Sequence, residues 1–536
     1  MRPPTTCRSC DAPLSRHGSS PLCAPCRQKA RDALASPPEV PPEFWESEAL
    51  AAALTAQHMG KACRAYRSHP YHAGLHGRHG IPQSAVARWL GMTQAQVSRI
   101  ETGPPVRNLD ALVFWARTLR IPEAHLWFDL PGQRHENAPP SPVAPAQPDP
   151  AVVMSQHDWR QVRRYLNSNR SDLAKAAARL YQRGIRLGET ALLTAPGWMP
   201  VRPVELVDVA LTWAEGPQPT TIDGTEPEAH SLCPLRTTRY RFDRYTSAIR
   251  YVDTPTLFEN RPSYRLLDVS WSENSGRMRF GLAAYFDKLD IAEAIGHEYA
   301  GAASRRRSAG QVGWKELPFR RLTDPFDLCS RHVIPAITTL TLCRNRERGT
   351  ATFLLHWRDP ARVATAGGIY DVVPAGEFQP SSISPWSHAA DLDLWRNIVR
   401  EYSEELCGEP EHDGSRGTPV DYDSWPFYRA ITRARDTGRL RAYCFGVGLD
   451  ALTLAATIPT VVVVDHDAFD EVFGEVVEAN AEGITVTSLR GQGSPTGIPF
   501  TEENVERLLA HEPMAPPGAA CIHLAWQHRE QLLDAD

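Results

Sequence analysis

Apolar residues recur at helical spacing in residues 81–103, which read IPQSAVARWLGMTQAQVSRIETG. The apolar positions of a first helix are Ala85, Val86, Trp89 and Leu90, and those of a second are Ala95, Val97 and Ile100. Gly91 between them permits a left-handed turn, and Thr93 is a suitable N-cap for the second helix. The pattern therefore predicts two short helices joined by a tight turn.

From about residue 203 onward, short β-rich runs alternate with helical stretches. The runs include TRYRFDRYTSAIRYV, SYRLLDVSW, ATFLLHW and TVVVVD, and the helical stretches include 287–305, 391–407 and 501–511. This alternation predicts a mixed α+β domain of roughly 300 residues. Within the stretch 285–300, Asp290, Glu293, His297 and Glu298 are expected on the polar outer face of an amphipathic helix.

Two cysteine pairs lie close together near the N-terminus, Cys7 with Cys10 and Cys23 with Cys26, and twelve residues separate the pairs. Two such pairs can supply four thiolates in the tetrahedral arrangement that zinc prefers. The pattern predicts a structural zinc ribbon, because four thiolates leave no open coordination position. The other seven of the eleven cysteines are scattered, which favours a reducing, cytoplasmic location over a disulfide framework.

Charge is distributed unevenly along the chain. The whole sequence has a net charge of −5, whereas residues 58–121 contain nine Lys and Arg but only two acids, a net charge of +7 before histidines. A basic region of this kind suits a polyanionic partner. We find no uncharged apolar run of about 18 residues, so no transmembrane helix is expected. The first residues also lack the apolar core of a secretory signal.

The stretch 81–103, followed by LDALVFWARTLRI at 109–121, resembles the Cro/phage-repressor-type (XRE) helix-turn-helix family over about residues 56–130. The resemblance implies that the second helix reads double-stranded DNA in the major groove, where Gln can bond adenine and Arg guanine. The residues expected at DNA are Gln83, Thr93, Gln94, Gln96, Ser98 and Arg99, with Arg64 and Arg107 as neutralisers of backbone charge. A homodimer is expected by the same resemblance.

A second motif combines GGIYDVVPAGEFQP at 367–380 with REYSEEL at 400–406. It reads as a strand, a glycine loop and a helix on which Glu401, Glu404 and Glu405 share one face. Carboxylates in this arrangement suit magnesium or manganese. The order resembles the Nudix family, whose box is G-x5-E-x7-R-E-U-x-E-E-x-G-U. The resemblance implies that Gly376 is the loop glycine, and that Arg400 and the three glutamates lie in a helix that holds magnesium against a nucleotide diphosphate.

The match departs from the Nudix box in its first half. Gly376 precedes Arg400 by 24 residues, where the box has 14, so about ten residues are inserted. Glu377 is adjacent to the glycine, and Asp391 and Asp393 are only approximate substitutes for the first glutamate of the box. The helical half is kept, whereas the loop half is rebuilt.

These observations predict a multidomain chain: a small zinc ribbon, an all-α helix-turn-helix domain and a large α+β, Nudix-like domain. The stretch APPSPVAPAQPDP has six prolines in thirteen residues and is typical of a semi-rigid linker. The predicted boundaries are 1–35 for the zinc ribbon, 43–131 for the helix-turn-helix domain, 132–153 for the Pro-rich linker, 154–200 for a helical connector and 201–536 for the Nudix-like domain.

Three functions remain open for this organisation. The first is a cytoplasmic, nucleoid-associated transcription regulator whose Nudix-like domain senses a small phosphorylated, nucleotide-like ligand. The second is a magnesium-dependent Nudix-type pyrophosphohydrolase of nucleoside-diphosphate compounds, with Glu401, Glu404 and Glu405 as catalytic residues and a DNA-binding domain attached. In the third, the C-terminal domain is an interaction module and the glutamates lie on a solvated face.

Overall fold

The computed structural model describes residues 34, 37–72, 80–90, 92, 94–106, 109–128, 149–255, 258–306, 309–358, 368–409, 419–474, 483–486 and 497–534. Only the backbone is described for Arg88, Ala95, Gln96, Leu109, Asp110, Ala309 and 483–486. The chain divides into two compact units, an N-terminal unit within 29–147 and a C-terminal unit that contains 148–255 and 259–536. All four cysteines of the predicted zinc ribbon lie outside the described residues.

The described part of the N-terminal unit is helical. Its α-helices are α1 (Glu48–Thr55), α2 (Met59–Arg67), α3 (Gln83–Trp89), α4 (Gln94–Thr102) and α5 (Leu109–Thr118). Short 3-10 helices lie at Pro42–Glu46 and Glu123–His125. The two helices predicted from the apolar spacing are confirmed as α3 and α4. Their apolar faces are buried: Val86 and Val97 are fully inaccessible, and Trp89 donates its indole N–H to the Leu34 carbonyl at 2.8 Å.

Helices α2 and α4 approach each other closely at one glycine. A Cβ atom on Gly60 of α2 would overlap the main-chain carbonyl of Ile100 in α4. His58 caps α2 by accepting the Lys61 N–H at Nδ1 (3.2 Å), and its Nε2 lies 3.1 Å from the Gly103 carbonyl just after α4. The crossing of α2 and α4 therefore depends on a residue without a side chain and on one histidine.

The C-terminal unit combines helices and strands. Its helices are α6 (Pro150–Ser168), α7 (Arg170–Ala178), α8 (Pro227–Leu232), α9 (Tyr245–Val252), α10 (Tyr285–Ser304), α11 (Pro318–Leu322), α12 (Pro385–Ala390), α13 (Leu394–Glu405), α14 (Pro426–Asp436), α15 (His466–Phe473), α16 (Glu502–His511), α17 (Pro516–Gln527) and α18 (Arg529–Leu533). Its strands are β1 (Leu192–Leu193), β2 (Val204–Glu205), β3 (Val209–Trp213), β4 (Pro262–Trp271), β5 (Gly276–Ala284), β6 (Pro335–Asn345), β7 (Thr350–Phe353), β8 (Leu355–Arg358), β9 (Ile369–Val372), β10 (Ala375–Glu377), β11 (Leu440–Cys444), β12 (Gly448–Asp450), β13 (Ala456–Asp465), β14 (Gly483–Val486) and β15 (Ile498–Pro499).

The largest sheet is centred on a parallel pair, β6 and β13, which run side by side from Pro335 opposite Ala456 to Arg344 opposite Asp465. Strands β7 and β10 pair antiparallel with β6, while β11 and β12 pair antiparallel with β13. Strands β8, β9 and β14 form a second sheet, and β3, β4 and β5 form a third. Since all ten residues of β13 are buried, its run of valines reads as a central strand covered on both faces.

Helices cover both faces of the central pair. Leu340 and Leu342 of β6 belong to the same apolar cluster as Cys521 and Ile522 of α17. Thr341, between those leucines, shares a 2.7 Å hydrogen bond with the Tyr402 hydroxyl of α13. Because successive strand residues point to opposite faces, α17 and α13 lie on opposite sides of the sheet. The C-terminal unit is thus layered, with the acidic helix α13 on one outer face.

Two sequence expectations are wrong in the C-terminal unit. The polar residues of α10 do not face solvent: Asp290, Glu293, His297 and Glu298 are all buried. The helix is enclosed by neighbouring elements, and the polar groups are bonded inside, for example Glu298 to the main-chain N–H groups of α11. The run TRYRFDRYTSAIRYV, expected as a strand, forms a tight turn followed by helix α9.

The protein is therefore a multi-unit chain of mixed helices and sheets. The segment 154–200, expected as a connector, belongs to the C-terminal unit, where Trp159, Leu166 and Leu173 are buried. No helix in the described ranges has the length and apolar character needed to cross a membrane.

Candidate functional site

The N-terminal unit exposes polar residues on α4. Gln94 and Arg99 are exposed and Ser98 is half-buried, while Val97 and Glu101 are buried. Arg64 on α2 is also exposed. Thr93 and Arg107 lie outside the described residues, and of Gln96 only the backbone is described.

A buried carboxylate organises the same unit from the inside. Arg67 of α2 donates two hydrogen bonds to Glu101 of α4, at 2.6 and 2.8 Å. Gln83, at the start of α3, donates from Nε2 to the same carboxylate at 2.8 Å. Glu101 thereby ties three helices together, and the hydrogen bond to Glu101 raises the pKa of Arg67. The amide nitrogen of Gln83, one of the residues expected at DNA, is engaged in this internal network.

In the C-terminal unit, the acidic helix packs against the strand that carries the predicted glycine. Gly376 lies in the middle of β10, opposite Ile337 of β6, rather than in a loop. A Cβ atom on Gly376 would overlap the Glu401 carboxylate. The glycine is therefore required by the close approach of α13, and the structure brings together the two residues that the Nudix resemblance associates.

The neighbouring glutamate contacts the same strand. The Ala375 N–H donates to Glu405 Oε1 at 3.0 Å, and His356 Nδ1 of β8 lies 4.0 Å from Glu405 Oε2. Glu404, like Glu401 and Glu405, is half-buried. The carboxylate face of α13 thus lies along the β10 backbone, where Glu401 and Glu405 each touch a main-chain group.

Arg400 does not belong to this carboxylate face. It is buried, and it donates to the Gln379 carbonyl at 2.6 Å and to Asn397 Oδ1 at 2.9 Å. It also lies 3.5 Å from the Asp391 carboxylate. Asp391 accepts hydrogen bonds from the Ser381 N–H (2.8 Å) and the Tyr422 hydroxyl (2.7 Å). Arg400 therefore anchors the segment inserted between Gly376 and α13.

The two aspartates considered as substitutes for the first glutamate of the box have different roles. Asp391 contacts Arg400 as described, whereas Asp393 caps α13 by accepting the Arg396 N–H at 2.9 Å. Glu377, next to Gly376, is held by Lys288 of α10, whose Nζ lies 2.8 Å from both carboxylate oxygens. The edge of the sheet beside α13 therefore carries one lysine as well as the glutamates.

The carboxylates of α13 are not gathered into a cage. Among the residues that the structure describes, no three His, Cys, Asp or Glu side chains come close enough together to hold a metal ion. Carboxylate oxygens are chemically suited to magnesium, but Glu401, Glu404 and Glu405 as placed do not form a three-donor site. The magnesium and zinc assignments stay predictions.

No protein-family model matches the chain, and a search of curated proteins found no match.

Sequence reasoning missed the structural roles of Glu101 and Lys288, and it considered Asp391 only as a substitute for the first glutamate of the box and not as the partner of Arg400. One signal was available for Glu101: it lies four residues after Val97 and hence on the apolar face of α4. A carboxylate on a buried face needs a cationic or hydrogen-bonding partner, but the sequence does not indicate which of the nine Lys and Arg in residues 58–121 supplies it. Nothing local marks Lys288, because its partner is 89 residues away.

Proposed function

We propose that the protein is a DNA-binding transcription regulator in which α3 and α4 form a helix-turn-helix and α4 reads base edges. The observation that carries the proposal is the exposure of Gln94, at the start of α4, and of Arg99 in the same helix, in a region with a net charge of +7. Both side-chain types can bond base edges bidentately in the major groove. Arg64 supplies positive charge on α2 for a phosphate.

The internal network supports the same proposal. Glu101, one of only two acids in residues 58–121, is 3% exposed and neutralised by Arg67. Its negative charge is therefore withdrawn from the surface that would face DNA. Because the network also holds α2, α3 and α4 together, the exposed residues of α4 are presented by a preorganised scaffold.

The C-terminal unit is proposed to sense a small phosphorylated, nucleotide-like ligand at α13 and β10. The support is the carboxylate face of α13 along β10, where Glu401 contacts Gly376 and Glu405 accepts a hydrogen bond from the Ala375 N–H. Ligand binding would act on DNA affinity through its differential affinity for two states of the protein, with a homodimer as the expected assembly.

Genomic DNA-affinity selection with the full-length protein tests DNA reading. The parent is expected to enrich a defined motif, and Gln94→Ala and Arg99→Ala to reduce that enrichment. Arg117→Gln is the matched control, since Arg117 is an exposed arginine of α5 in the same unit. Equal enrichment by the parent and both α4 variants contradicts the assignment of α4.

A nucleotide panel tests the C-terminal unit, with binding followed by thermal shift and turnover by phosphate release. Binding without turnover, weakened in Glu404→Gln and Glu405→Gln, supports the sensor. Magnesium-dependent turnover that is lost in those variants supports the hydrolase. If the protein neither binds nor hydrolyses any nucleotide of the panel, the result favours the third function, in which the C-terminal domain is an interaction module.

A further inference from the structure

A basic and aromatic surface lies in the C-terminal unit, in the turn and helix of residues 235–251. The sequence LRTTRYRFDRYTSAIRY contains five arginines and one acid, a net charge of +4 in a chain whose total is −5. Tyr240 and Tyr251 are 70% and 69% exposed, more than any other aromatic side chain of the described residues. Two strongly exposed aromatic rings among arginines indicate an interaction surface.

The turn is held rigidly at its base. Leu235 pairs with Arg241, and the Tyr240 carbonyl accepts the N–H groups of Arg236 (2.8 Å) and Thr237 (3.0 Å). Helix α6 holds the turn at Leu235. Ser155 Oγ accepts the Leu235 N–H, and Gln156 donates to the Leu235 carbonyl, both at 2.9 Å. The exposed side chains at the tip are thus displayed from an ordered frame.

The arginines of this segment differ in what they bind. Arg244 is committed to Asp223 and Asp290, at 3.3 and 3.4 Å. Within the described part of the chain, Arg236 and Arg239 form no ion pair, and both are exposed. The guanidinium of Arg236 lies 5.7 Å from the ring centre of Tyr251 and 5.9 Å from that of Phe242. Arg236 therefore lies beside an exposed ring, and Arg239 precedes Tyr240 in the chain, each without a carboxylate partner among the described residues.

We infer that Arg236, Arg239, Tyr240 and Tyr251 form a binding surface for single-stranded nucleic acid. Arginines that lack a carboxylate partner fit phosphodiester charge, and exposed tyrosine rings fit unpaired bases, whose faces are hidden within a duplex. Phe242 stacks on Tyr251 with ring centres 5.8 Å apart and so orients that ring. The surface is separate from α4, and the inference does not depend on duplex reading by α4.

The test measures the affinity of the full-length protein for a fluorescent single-stranded oligonucleotide of mixed sequence, with the corresponding duplex as comparison. Tyr240→Ala and Tyr251→Ala are each expected to weaken single-strand binding about tenfold. Tyr240→Phe and Tyr251→Phe keep the stacking ring and are expected to retain binding. The double variant Arg236→Gln/Arg239→Gln is expected to reduce the slope of log affinity against log salt by about 1.4, for two phosphates.

Matched controls come from exposed residues elsewhere in the C-terminal unit. Arg429→Gln/Arg433→Gln on α14 removes the same charge, and Trp386→Ala removes an aromatic ring that is 51% exposed. These variants, and Gln94→Ala or Arg99→Ala in α4, are expected to leave single-strand affinity unchanged. Unchanged thermal unfolding verifies that each variant is folded.

Two results overturn the inference. One is single-strand affinity that persists in the Tyr240→Ala/Tyr251→Ala double variant. The other is a loss of self-association in the arginine variant without any change in single-strand affinity, which assigns the surface to contact between copies of the chain, since Tyr and Arg are also enriched at protein interfaces. Failure here leaves the proposed role of α4 untouched, because the α4 variants report on that role separately.

Discussion

The carboxylate of Glu401 lies against the Cα of Gly376, where any larger residue would place its Cβ atom. The backbone of β10 is extended there and pairs with β6, so the glycine is needed for space and not for an unusual backbone conformation. Helix α13 can approach the strand closely only because this position has no side chain. The pair thus couples a strand residue to a helix residue 25 positions later in the chain.

The first prediction concerns this pair. Gly376→Ala is expected to destabilise the protein by about 1–3 kcal/mol, since the new methyl group must displace Glu401 or α13. Glu401→Ala in the same chain is expected to recover part of that loss, because it removes the atoms that the methyl group meets. A double-mutant cycle by chemical denaturation measures the coupling, and Gly184→Ala, which meets no atom within 4 Å, is the control. Additive effects would contradict the described contact.

The second prediction concerns the carboxylate shared by α2, α3 and α4. Glu101→Gln is expected to cost about 3 kcal/mol, because it leaves the largely buried guanidinium of Arg67 without a counter-charge. Hydrogen exchange of α2 and α4 amides measures the effect where it arises. Arg120→Gln is the control: the Arg120–Glu39 pair is exposed, so its loss is expected to change stability by at most about 1 kcal/mol. If Glu101→Gln and Arg120→Gln lower the unfolding free energy equally, the Glu101 carboxylate does not stabilise the packing of α2, α3 and α4.

The third prediction concerns pH. Burial lowers the pKa of His297 to about 3, and its Nδ1 lies 3.0 Å from the Tyr245 hydroxyl in a site that also contains Arg163 and Glu293. In the unfolded chain the imidazole takes up a proton near pH 6.5, whereas the folded protein excludes that proton until about pH 3. The unfolded state therefore binds more protons in this window, and stability falls as pH decreases through it.

Replacing His297 isolates this contribution. Between pH 6.5 and 3, the stability of the parent is expected to fall relative to that of His297→Gln by up to about 1.4 kcal/mol per pH unit. Unfolding free energies measured across the range give the difference, in which the contributions of titrating groups that do not interact with His297 cancel. His157→Gln, at an exposed position of α6, is the matched control. Parallel curves for the parent and His297→Gln would refute the assignment.

The fourth prediction separates phosphate contact from base reading. Arg64→Ala is expected to weaken binding to all duplex sequences alike and to reduce the salt slope by about 0.9, for one phosphate. Arg99→Ala is expected to cost about 1–3 kcal/mol on the selected motif and much less on a scrambled duplex. Affinities for both duplexes over a range of salt concentrations distinguish the two roles. If Arg99→Ala weakens binding to both duplexes equally, Arg99 contacts the phosphate backbone and does not read a base.

Local pattern was sufficient for several elements of this protein. The apolar spacing around Val86 and Val97 placed α3 and α4, because a helix is built from contacts three and four residues apart. The valine run of β13 and the helix that carries Glu401 were also readable, since each is a continuous segment with its own signature. The uneven distribution of charge along the chain can be counted directly from the sequence, without knowledge of the fold.

Contacts between distant segments were not readable, and they reversed some interpretations. His297 and its polar neighbours on α10 looked solvent-facing, yet the elements packed around that helix bury them. Arg400 was predicted at a ligand site, and its contacts with Asp391 and the Gln379 carbonyl inside the protein could not be read from the sequence. Periodicity reports only which residues share a face of an element. Which element covers that face depends on chain segments brought together by folding, such as β6 and β13, whose paired residues lie 121 positions apart.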